Sequence, residues 1–497
     1  MRRVRTAAGL LVIVILLLSF AGCYAAGADA DLSGFSPQAQ TAIRDFVRTW
    51  GKDSEGYRGD AYIVSDFDNT TSIFDITYQC SVYQIQTMSF AMSAEELRAA
   101  LSVYAETDET AQKYISDVVA AYEKLLPDYG PFTPAGVGED RLDSLHEELY
   151  WKEFATKLKC LYLYLEGVLD DASGCAWIMY WYTNMTADEV YDLFLRSCLR
   201  YRDTDTVQVT WTSPEGIESE MGVTSCTFLL GCSVTESVKN MLTYYYENGI
   251  DTWICSASHV DGVRAAVDAY GLSGCITGVI GMTQKTDGGR FLAEYDYEDG
   301  RPYFNDKGSW RRADESIRAL PAREGKVIAI ENFLVPLYKA GPLAGFMDAS
   351  GDFNFCTEFE SMKMVICYNR ADRKITDGAG LVAIAAVCQQ QKGLTLAQAN
   401  AAGDTYYILQ GRDENGKRKL SGEQTTVQYG AESPALFATE ASTALLDHMK
   451  DRDLSLKDFF NTFAIATSEQ DSAIGLAYGY LSDYRGYHSV RIQPVSG

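Results

Sequence analysis

The pattern of apolar and polar positions predicts a chain that mixes strands and helices. The run "AYIVSD", which starts at Ala61, is apolar and β-branched, as is typical of a buried strand. Residues 79–244 carry apolar side chains mostly at helical spacing, and helix-like and strand-like segments alternate after them. Strands that alternate with helices form parallel sheets joined by crossover connections. We therefore expect an α/β fold with a parallel sheet, interrupted after its first strand by a large, mostly α-helical insertion.

Start signals sharpen several of these elements. Ser36 followed by Pro37 marks the first helix, and the segments "SAEE" at Ser93 and "TADE" at Thr186 are capping boxes. The segment "IDTWICSAS" is predicted to be a strand, and the next helix is expected to begin near His259. Towards the C-terminus, "DTYYILQGRD" has the pattern of a strand and "PALFATEASTALLDHMK" that of a helix.

The composition is that of a globular protein, with 497 residues of which 47% are hydrophobic and 22% charged. This length indicates two or three domains. The net charge of −25 argues against nucleic acid and anionic membrane surfaces as partners. The 12 cysteines and 4 histidines form no CxxC pair and no cluster at zinc spacing. We therefore expect most cysteines to be buried and no histidine-based metal site.

The N-terminus has the pattern of an export signal. A basic start, "MRRVR", precedes the apolar run "LLVIVILLLSF" and the segment "AGC", which ends at Cys23. This resembles a bacterial lipoprotein signal in which Cys23 is lipidated, although Phe20 stands where an aliphatic residue is usual. Cleavage near Ala26 and an uncleaved anchor are the alternatives. All three predict a protein outside the cytoplasmic membrane of a bacterium, lipid-anchored or secreted.

Two aspartates, Asp66 and Asp68, stand where the first predicted strand ends. Side chains two positions apart point to the same side of a strand, and open α/β sheets bind ligands at the carboxyl ends of their strands. Two neighbouring carboxylates favour a bound cation, and Mg²⁺ is the natural candidate. One carboxylate can then attack phosphorus, while the other protonates the leaving oxygen and later deprotonates water.

The segment "DFDNT" resembles the first motif of the haloacid dehalogenase superfamily of phosphatases. That superfamily has three further motifs, and each has a candidate in the same order. Ser256 ends a predicted strand, Lys326 precedes the apolar run "VIAI", and Gly351 with Asp352 follows another predicted strand. The long separation of Asp66 from Ser256 is similar to that in the subgroup with a helical cap between the first two motifs. Within it, "NMTADEV", "GKVIAI" and "ICYNR" resemble bacterial phosphorylcholine phosphatases.

The resemblance implies a fold, a division of the chain and a set of roles. The division is a signal peptide over 1–23, an N-terminal segment over 24–58, a Rossmann-like core over 59–78 and 245–385, a helical cap over 79–244, and a C-terminal extension over 386–497 that packs on the core. The resemblance implies that Asp66 is the nucleophile and that Asp68 is the general acid/base, with its carbonyl on Mg²⁺. It implies support of the phosphate-binding turn for Thr70 and phosphate binding for Ser256 and Lys326. Asp66 and Asp352 are the implied carboxylate ligands of the metal.

The fourth motif departs from the pattern of the superfamily. A second acid is expected four or five positions after Asp352, where this chain has Cys356 and Thr357. Three alternatives follow for the missing acid. Thr357 or Asn354 replaces it, a local bulge brings in Glu358, or the metal site is weakened.

Other candidate residues also keep alternatives. Lys326 is either the third motif or an exposed lysine before a strand, with Lys307 and Lys339 as competitors. Ser256 is either a phosphate ligand or a strand-end hydroxyl that caps a helix. His259 either touches the substrate or starts a helix.

The aromatic residues of the insertion raise a question of substrate. Aromatic faces bind quaternary ammonium groups, so we considered Tyr150 and Trp181 as part of a site for choline. The alternative is that they pack the insertion onto the core. The expected function is a Mg²⁺-dependent phosphomonoesterase that acts on a small substrate, with phosphocholine as the first candidate. The rivals are a broad acid phosphatase or phosphotransferase, and a non-catalytic ligand-binding lipoprotein.

Overall fold

The protein, which is described here by a computed structural model, contains both strands and helices along most of its length. The structure describes residues 30–169, 171–370, 384–385, 387–428 and 431–433. Its strands are β1 (Tyr62–Ser65), β2 (Val207–Thr212), β3 (Ser225–Leu230), β4 (Asp251–His259), β5 (Gly278–Met282), β6 (Gln284–Asp287), β7 (Arg290–Tyr295), β8 (Tyr303–Asp306), β9 (Ser309–Arg312), β10 (Ala344–Met347), β11 (Met364–Tyr368), β12 (Tyr406–Gln410), β13 (Arg412–Asp413), β14 (Lys419–Leu420), β15 (Thr426–Gln428) and β16 (Ala431–Ser433).

Eight of these strands form one sheet, in the order β12-β11-β10-β1-β4-β5-β8-β9. The six from β12 to β5 are parallel, and β8 and β9 continue the sheet in antiparallel pairing. The predicted α/β fold with a parallel sheet is confirmed. Because β1 lies in the middle of the parallel part, both of its faces are covered and all four of its residues are buried, which explains the unbroken apolar run.

The described helices stand before and between the strands in the chain. They are α1 (Pro37–Trp50), α2 (Ile76–Thr87), α3 (Ala94–Ser102), α4 (Glu109–Tyr129), α5 (Glu139–Glu147), α6 (Leu149–Val168), α7 (Asp171–Met179), α8 (Ala187–Tyr201), α9 (Glu236–Glu247), α10 (Val260–Ala269), α11 (Glu324–Ala329), α12 (Val335–Tyr338), α13 (Phe353–Glu358) and α14 (Leu396–Ala401). Shorter helical turns span Phe67–Thr71, Tyr180–Tyr182, Ile330–Leu334 and Ser350–Asp352.

The helix-start signals in the sequence are confirmed. The hydroxyl of Ser36 accepts a hydrogen bond from the Ala39 N–H and begins α1. The capping boxes at Ser93 and Thr186 both form, at the starts of α3 and α8. The His259 side chain caps α10, as expected for a helix-start role.

Two predictions from the apolar pattern need adjustment. The mostly helical stretch over 79–244 also contains a hairpin of β2 and β3, whose strands pair antiparallel. The run "VIAI", interpreted as a strand after Lys326, lies in α11 and packs on the sheet as a helix. Four apolar residues in a row suit a buried helical turn as well as a strand, so periodicity alone does not separate them.

The apolar core beside the sheet is built from large side chains. Tyr62, Trp253, Phe333 and Phe353 belong to one buried cluster with side chains of α11 and β11. Burial of such a side chain contributes roughly 1.5–3 kcal/mol. Among the described residues no two cysteines form a disulfide, and all of them but the half-buried Cys175 are buried, as predicted. Within the described part of the chain, no helix has both the length and the apolar character that a membrane crossing requires.

The C-terminal strands complete one edge of the sheet. The segment predicted as a strand, "DTYYILQGRD", contains β12, which pairs with β11. Directly after it, β13 starts a small second sheet in the order β14-β13-β15-β16. The predicted helix "PALFATEASTALLDHMK" lies outside the described residues, and so does the N-terminal signal with Cys23.

Candidate active site

Three neighbouring strands of the sheet end at one place. Strand β1 lies between β4 and β10 and runs parallel to both. Asp66 follows β1 directly, Asp348 follows β10, and Ser256 lies near the end of β4. Because parallel strands end at the same edge, these side chains meet there. A cavity of about 310 Å³ opens at this edge, and it is lined by five predicted residues: Asp66, Asp68, Ser256, Lys326 and Asp352.

Three buried carboxylates lie close together in the lining of this cavity. Asp66, Asp348 and Asp352 each place one oxygen within 4.8 Å of the others. The sequence reasoning included Asp66 and Asp352 and missed Asp348. A signal was available, because Asp348 stands directly after an apolar strand, as Asp66 does.

Lys326 lies between two of these carboxylates. Its Nζ is 2.6 Å from Asp66 Oδ1 and 2.5 Å from Asp352 Oδ1. The alternative of an exposed lysine before a strand is wrong, since Lys326 is only 2% exposed and sits in α11. The competing lysines, Lys307 and Lys339, do not line the cavity.

Two further side chains hold Asp348 in place. The Thr70 hydroxyl donates to Asp348 Oδ1 at 3.0 Å, and Arg370 Nη1 donates to Asp348 Oδ2 at 3.0 Å. Thr70 was predicted beside the phosphate. It does not line the cavity, and its contact instead fixes the orientation of an acidic residue.

Asp68 is turned away from the three carboxylates and towards β4. Its Oδ1 accepts from the Ile76 N–H at 2.7 Å, and its Oδ2 accepts from the Ser258 hydroxyl at 2.6 Å. The Ser256 hydroxyl lies 3.4 Å from the same oxygen. Desolvation raises the pKa of Asp68 well above its usual range, and the charges of Asp75 and Asp66 raise it further. Asp68 is therefore suited to carry a proton.

The charges of the site are strongly coupled. Burial raises the pKa of Asp66 to about 6, although the contact with Lys326 lowers it. Burial also raises the pKa of Asp352, and the negative charge of Asp66 adds to this effect. For Lys326 burial opposes the charged form, but Asp352 and Asp66 outweigh it and raise the pKa. Carboxylates thus outnumber the ammonium that pairs with them.

This arrangement could bind a metal ion. Three buried carboxylates offer oxygen ligands close together, and the two cations Lys326 and Arg370 leave one of the three negative charges unneutralised when all three are ionised. Oxygen-only ligands suit a hard divalent cation. The carboxylate group contains the two predicted carboxylate ligands, Asp66 and Asp352, and adds Asp348, which was not predicted.

The residues suggested as replacements for the second acid of the fourth motif lie outside the carboxylate group. Thr357 donates to the Phe353 carbonyl within α13, and Glu358 accepts from the Asn354 amide. Neither belongs to the carboxylate group, so no replacement ligand after Asp352 is needed. The acid that stands beside Asp352 in the carboxylate group, Asp348, precedes it in the chain.

Part of the remaining lining, the helical wall, is aromatic and acidic and comes largely from α6 and α7. Tyr162 and Trp177 line it, together with Asp75 and Glu166. The two residues considered for substrate binding, Tyr150 and Trp181, do not line the cavity. Tyr150 is 38% exposed, whereas Trp181 is 1% exposed and its ring lies 5.6 Å from that of Trp177. For Trp181 the packing alternative therefore describes what is seen.

Comparisons with known proteins give a fold and no activity. No protein-family model matches the chain, and no curated protein matches it. A crystal structure of a conserved, functionally unknown protein from Anaerococcus prevotii is similar, with 23% identity and a TM-score of 0.62, covering 80% of this chain and 97% of that chain. A protein of unknown function from Bordetella pertussis covers 62% and 90%, with 13% identity and a TM-score of 0.30, which is too low to carry an argument.

Proposed function

We propose that this protein is a Mg²⁺-dependent phosphomonoesterase of the haloacid dehalogenase type, which acts on a small substrate outside the cytoplasmic membrane. The observation that carries the proposal is the meeting of four distant segments in one cavity. Asp66, Ser256, Lys326 and the pair Asp348 and Asp352 come from separate parts of the chain. They have the residue types and the order of that superfamily's four motifs.

In the proposed reaction Asp66 is the nucleophile. One of its oxygens attacks phosphorus, the bond to the leaving oxygen breaks, and an aspartyl phosphate forms. Lys326, 2.6 Å from Asp66, stabilises the negative charge of the phosphoryl group, and the Ser256 hydroxyl donates to a phosphoryl oxygen. When bound by Asp66, Asp348, Asp352 and the Asp68 carbonyl, Mg²⁺ would supply further charge neutralisation.

Asp68 is the proposed general acid and base. Its raised pKa favours a proton that it can give to the leaving oxygen. The resulting carboxylate then takes a proton from the water that attacks phosphorus. Phosphate leaves, and Asp66 returns to its starting form, so atoms and protons balance over the cycle.

The helical segment is the proposed cap that selects the leaving group. Tyr162 and Trp177 offer aromatic faces, and Asp75 and Glu166 offer negative charge on the same wall. This combination favours a leaving group with a positive charge, because aromatic rings and carboxylates both attract cations. Phosphocholine therefore remains the first substrate to test, with Tyr162 and Trp177 in the place first given to Tyr150 and Trp181.

The rival of a non-catalytic binding protein loses its main support. That idea rested on a missing acid near Cys356, and Asp348 removes the need for one. A broad acid phosphatase or a phosphotransferase remains an outcome of substrate profiling. The lipid anchor at Cys23 stays a prediction.

The proposal is tested by phosphate release from soluble protein that begins at Tyr24. Phosphocholine and a panel of small phosphomonoesters are assayed with Mg²⁺ or with EDTA, beside Asp66→Asn. We expect turnover that requires Mg²⁺, is lost in the variant and leaves a ³²P label on wild-type protein. A folded, Mg²⁺-loaded protein that hydrolyses no ester would overturn the proposal.

A further inference from the structure

Two buried arginines from the C-terminal strands reach the loop that follows β1. Arg412, which is 1% exposed, donates from Nη1 to the Asn69 carbonyl at 2.5 Å and from Nη2 to Asn69 Oδ1 at 3.4 Å. Arg418, which is 7% exposed, donates to the Ile73 carbonyl at 3.3 Å and to Thr206 Oγ1 at 2.6 Å. Arg412 therefore contacts Asn69, which lines the cavity, whereas Arg418 contacts Ile73, which does not.

Asn69 occupies a demanding position in this loop. Its φ of 59° is left-handed, which is unfavourable for most residues and tolerated by asparagine. Asn69 lines the cavity, and in the chain it stands between Asp68 and Thr70. The orientation of the Asn69 peptide therefore sets the directions of both neighbours, and a guanidinium on its carbonyl stabilises that orientation.

The placement of Arg412 is tightly determined by its own strands. Gly411 joins β12 to β13, and a Cβ there would lie 1.9 Å from the Thr425 carbonyl oxygen, so only glycine fits. Arg412 Nη2 also pairs with Glu414 at 2.5 Å. Its Nε has no partner among the described residues. Burial of an incompletely paired guanidinium is unfavourable, so this arginine is a poor choice if filling space were its only role.

We propose that Arg412 is a positioning residue for the active site. It holds the loop so that Asp68 faces the cavity and the Thr70 hydroxyl reaches Asp348 at 3.0 Å. This inference rests on the proposed function, and it gives the described part of the C-terminal extension a role in the reaction. Arg412 itself contacts neither the three-carboxylate group nor the cavity.

Arg412→Lys and Arg418→Lys form a matched pair of variants. Both shorten a buried arginine of the same extension, and a lysine cannot reproduce the planar set of donors. We expect Arg412→Lys to lower kcat at least about 10-fold and to raise the Mg²⁺ concentration for half-activation roughly 10-fold or more, as loss of a partner behind a metal ligand does. KM for the substrate should change little. Arg418→Lys should change the melting temperature alone.

A second measurement is independent of turnover. Hydrogen–deuterium exchange of the peptide over 66–75 should be faster in Arg412→Lys than in wild type, while exchange in β4 stays the same. If Arg412→Lys does not fold, Arg412→Gln, which keeps an N–H donor without a buried charge, takes its place.

The outcomes separate this inference from the proposed function. Equal effects of the two variants on kcat, Mg²⁺ requirement and melting temperature would mean a general structural role and overturn the inference. Unchanged exchange over 66–75 would overturn it as well. If wild-type protein shows no turnover, the proposed function fails, and faster exchange in Arg412→Lys alone would still support the positioning of the loop.

Discussion

Two buried lysines, one in the carboxylate group at the sheet edge and one in helix α6, differ in how their surroundings act on the charge. Lys326 lies under the sheet edge and Lys159 lies in α6, and neither is more than 2% exposed. The contacts with Asp352 and Asp66 raise the pKa of Lys326 in spite of burial. Burial lowers the pKa of Lys159 to about 7, and the charges of Glu166 and Asp75 offset this only in part. Its Nζ lies 3.3 Å from the centre of the Tyr78 ring. Aromatic rings stabilise an ammonium far less than two carboxylates do.

This difference shows how the work is divided between the two regions. The sheet edge collects charges at positions that strand ends determine, so a phosphoryl group and a cation can be held rigidly. The helical wall is aromatic, and its carboxylates lie at the cavity lining. We infer that the sheet edge performs the chemistry and the helical wall selects the leaving group. Four variants test this division, beginning with the largest expected effect.

Asp66→Asn removes the proposed nucleophile and keeps its shape. We expect kcat to fall by about 10⁴-fold or more, since loss of a nucleophile is the most severe change of this kind. Phosphate release from phosphocholine measures it. Asp53→Asn, at an exposed position, serves as the control and should keep full activity. Comparable activity in Asp66→Asn and wild type would exclude covalent catalysis by Asp66.

Lys326→Met leaves Asp66 and Asp352 facing each other without their shared cation. We expect kcat to fall roughly 10²- to 10³-fold, as for other losses of one stabilising group, and the melting temperature to fall as well. Lys159→Met is the matched control and should leave kcat near the wild-type value. The division between the two walls would be contradicted if the two substitutions lowered kcat equally.

Glu166→Gln removes a negative charge from the helical wall. We expect KM for phosphocholine to rise about 5- to 10-fold. An interaction with a charged group contributes roughly 1.5–3 kcal/mol when it is fully formed. Glu166 is exposed, so its contribution should fall below that range. KM for glycerol phosphate, whose leaving group is neutral, should not change. The same rise for both substrates would remove Glu166 from leaving-group selection.

Lys159→Met should have the smallest effect, on stability and with a defined pH dependence. The folded pKa of about 7 lies below the ordinary value of 10.5, so the folded protein binds fewer protons than the unfolded chain between these pH values. Wild-type stability therefore rises with pH through this window, and the full penalty is present below pH 7. Lys159→Met removes the penalty, so its melting temperature should exceed that of wild type more at pH 6 than at pH 9. A gain that is the same at both pH values would mean that Lys159 does not titrate as described.

The local features of the fold could be predicted from the sequence because they depend on neighbours along the chain. The caps at Ser36, Ser93 and Thr186 need only a side chain and the backbone of the next turn. The buried strand β1 follows from an unbroken apolar run, and Asp66 follows from its position after that run. Ser256 and Lys326 could be proposed because their motifs stand in a familiar order.

What only the tertiary structure decided is which of these residues meet. Asp348 joins the carboxylate group because β10 lies beside β1, a pairing between Ile63 and Ala344, 281 positions apart, that no local pattern contains. Lys326 is buried and charged because a helix brings it between two carboxylates, and helix packing places Tyr162 and Trp177 at the cavity but not Tyr150 and Trp181. The sequence by itself determined the elements and the first aspartate. Strand order and helix packing, which act between distant segments, decided the composition of the site.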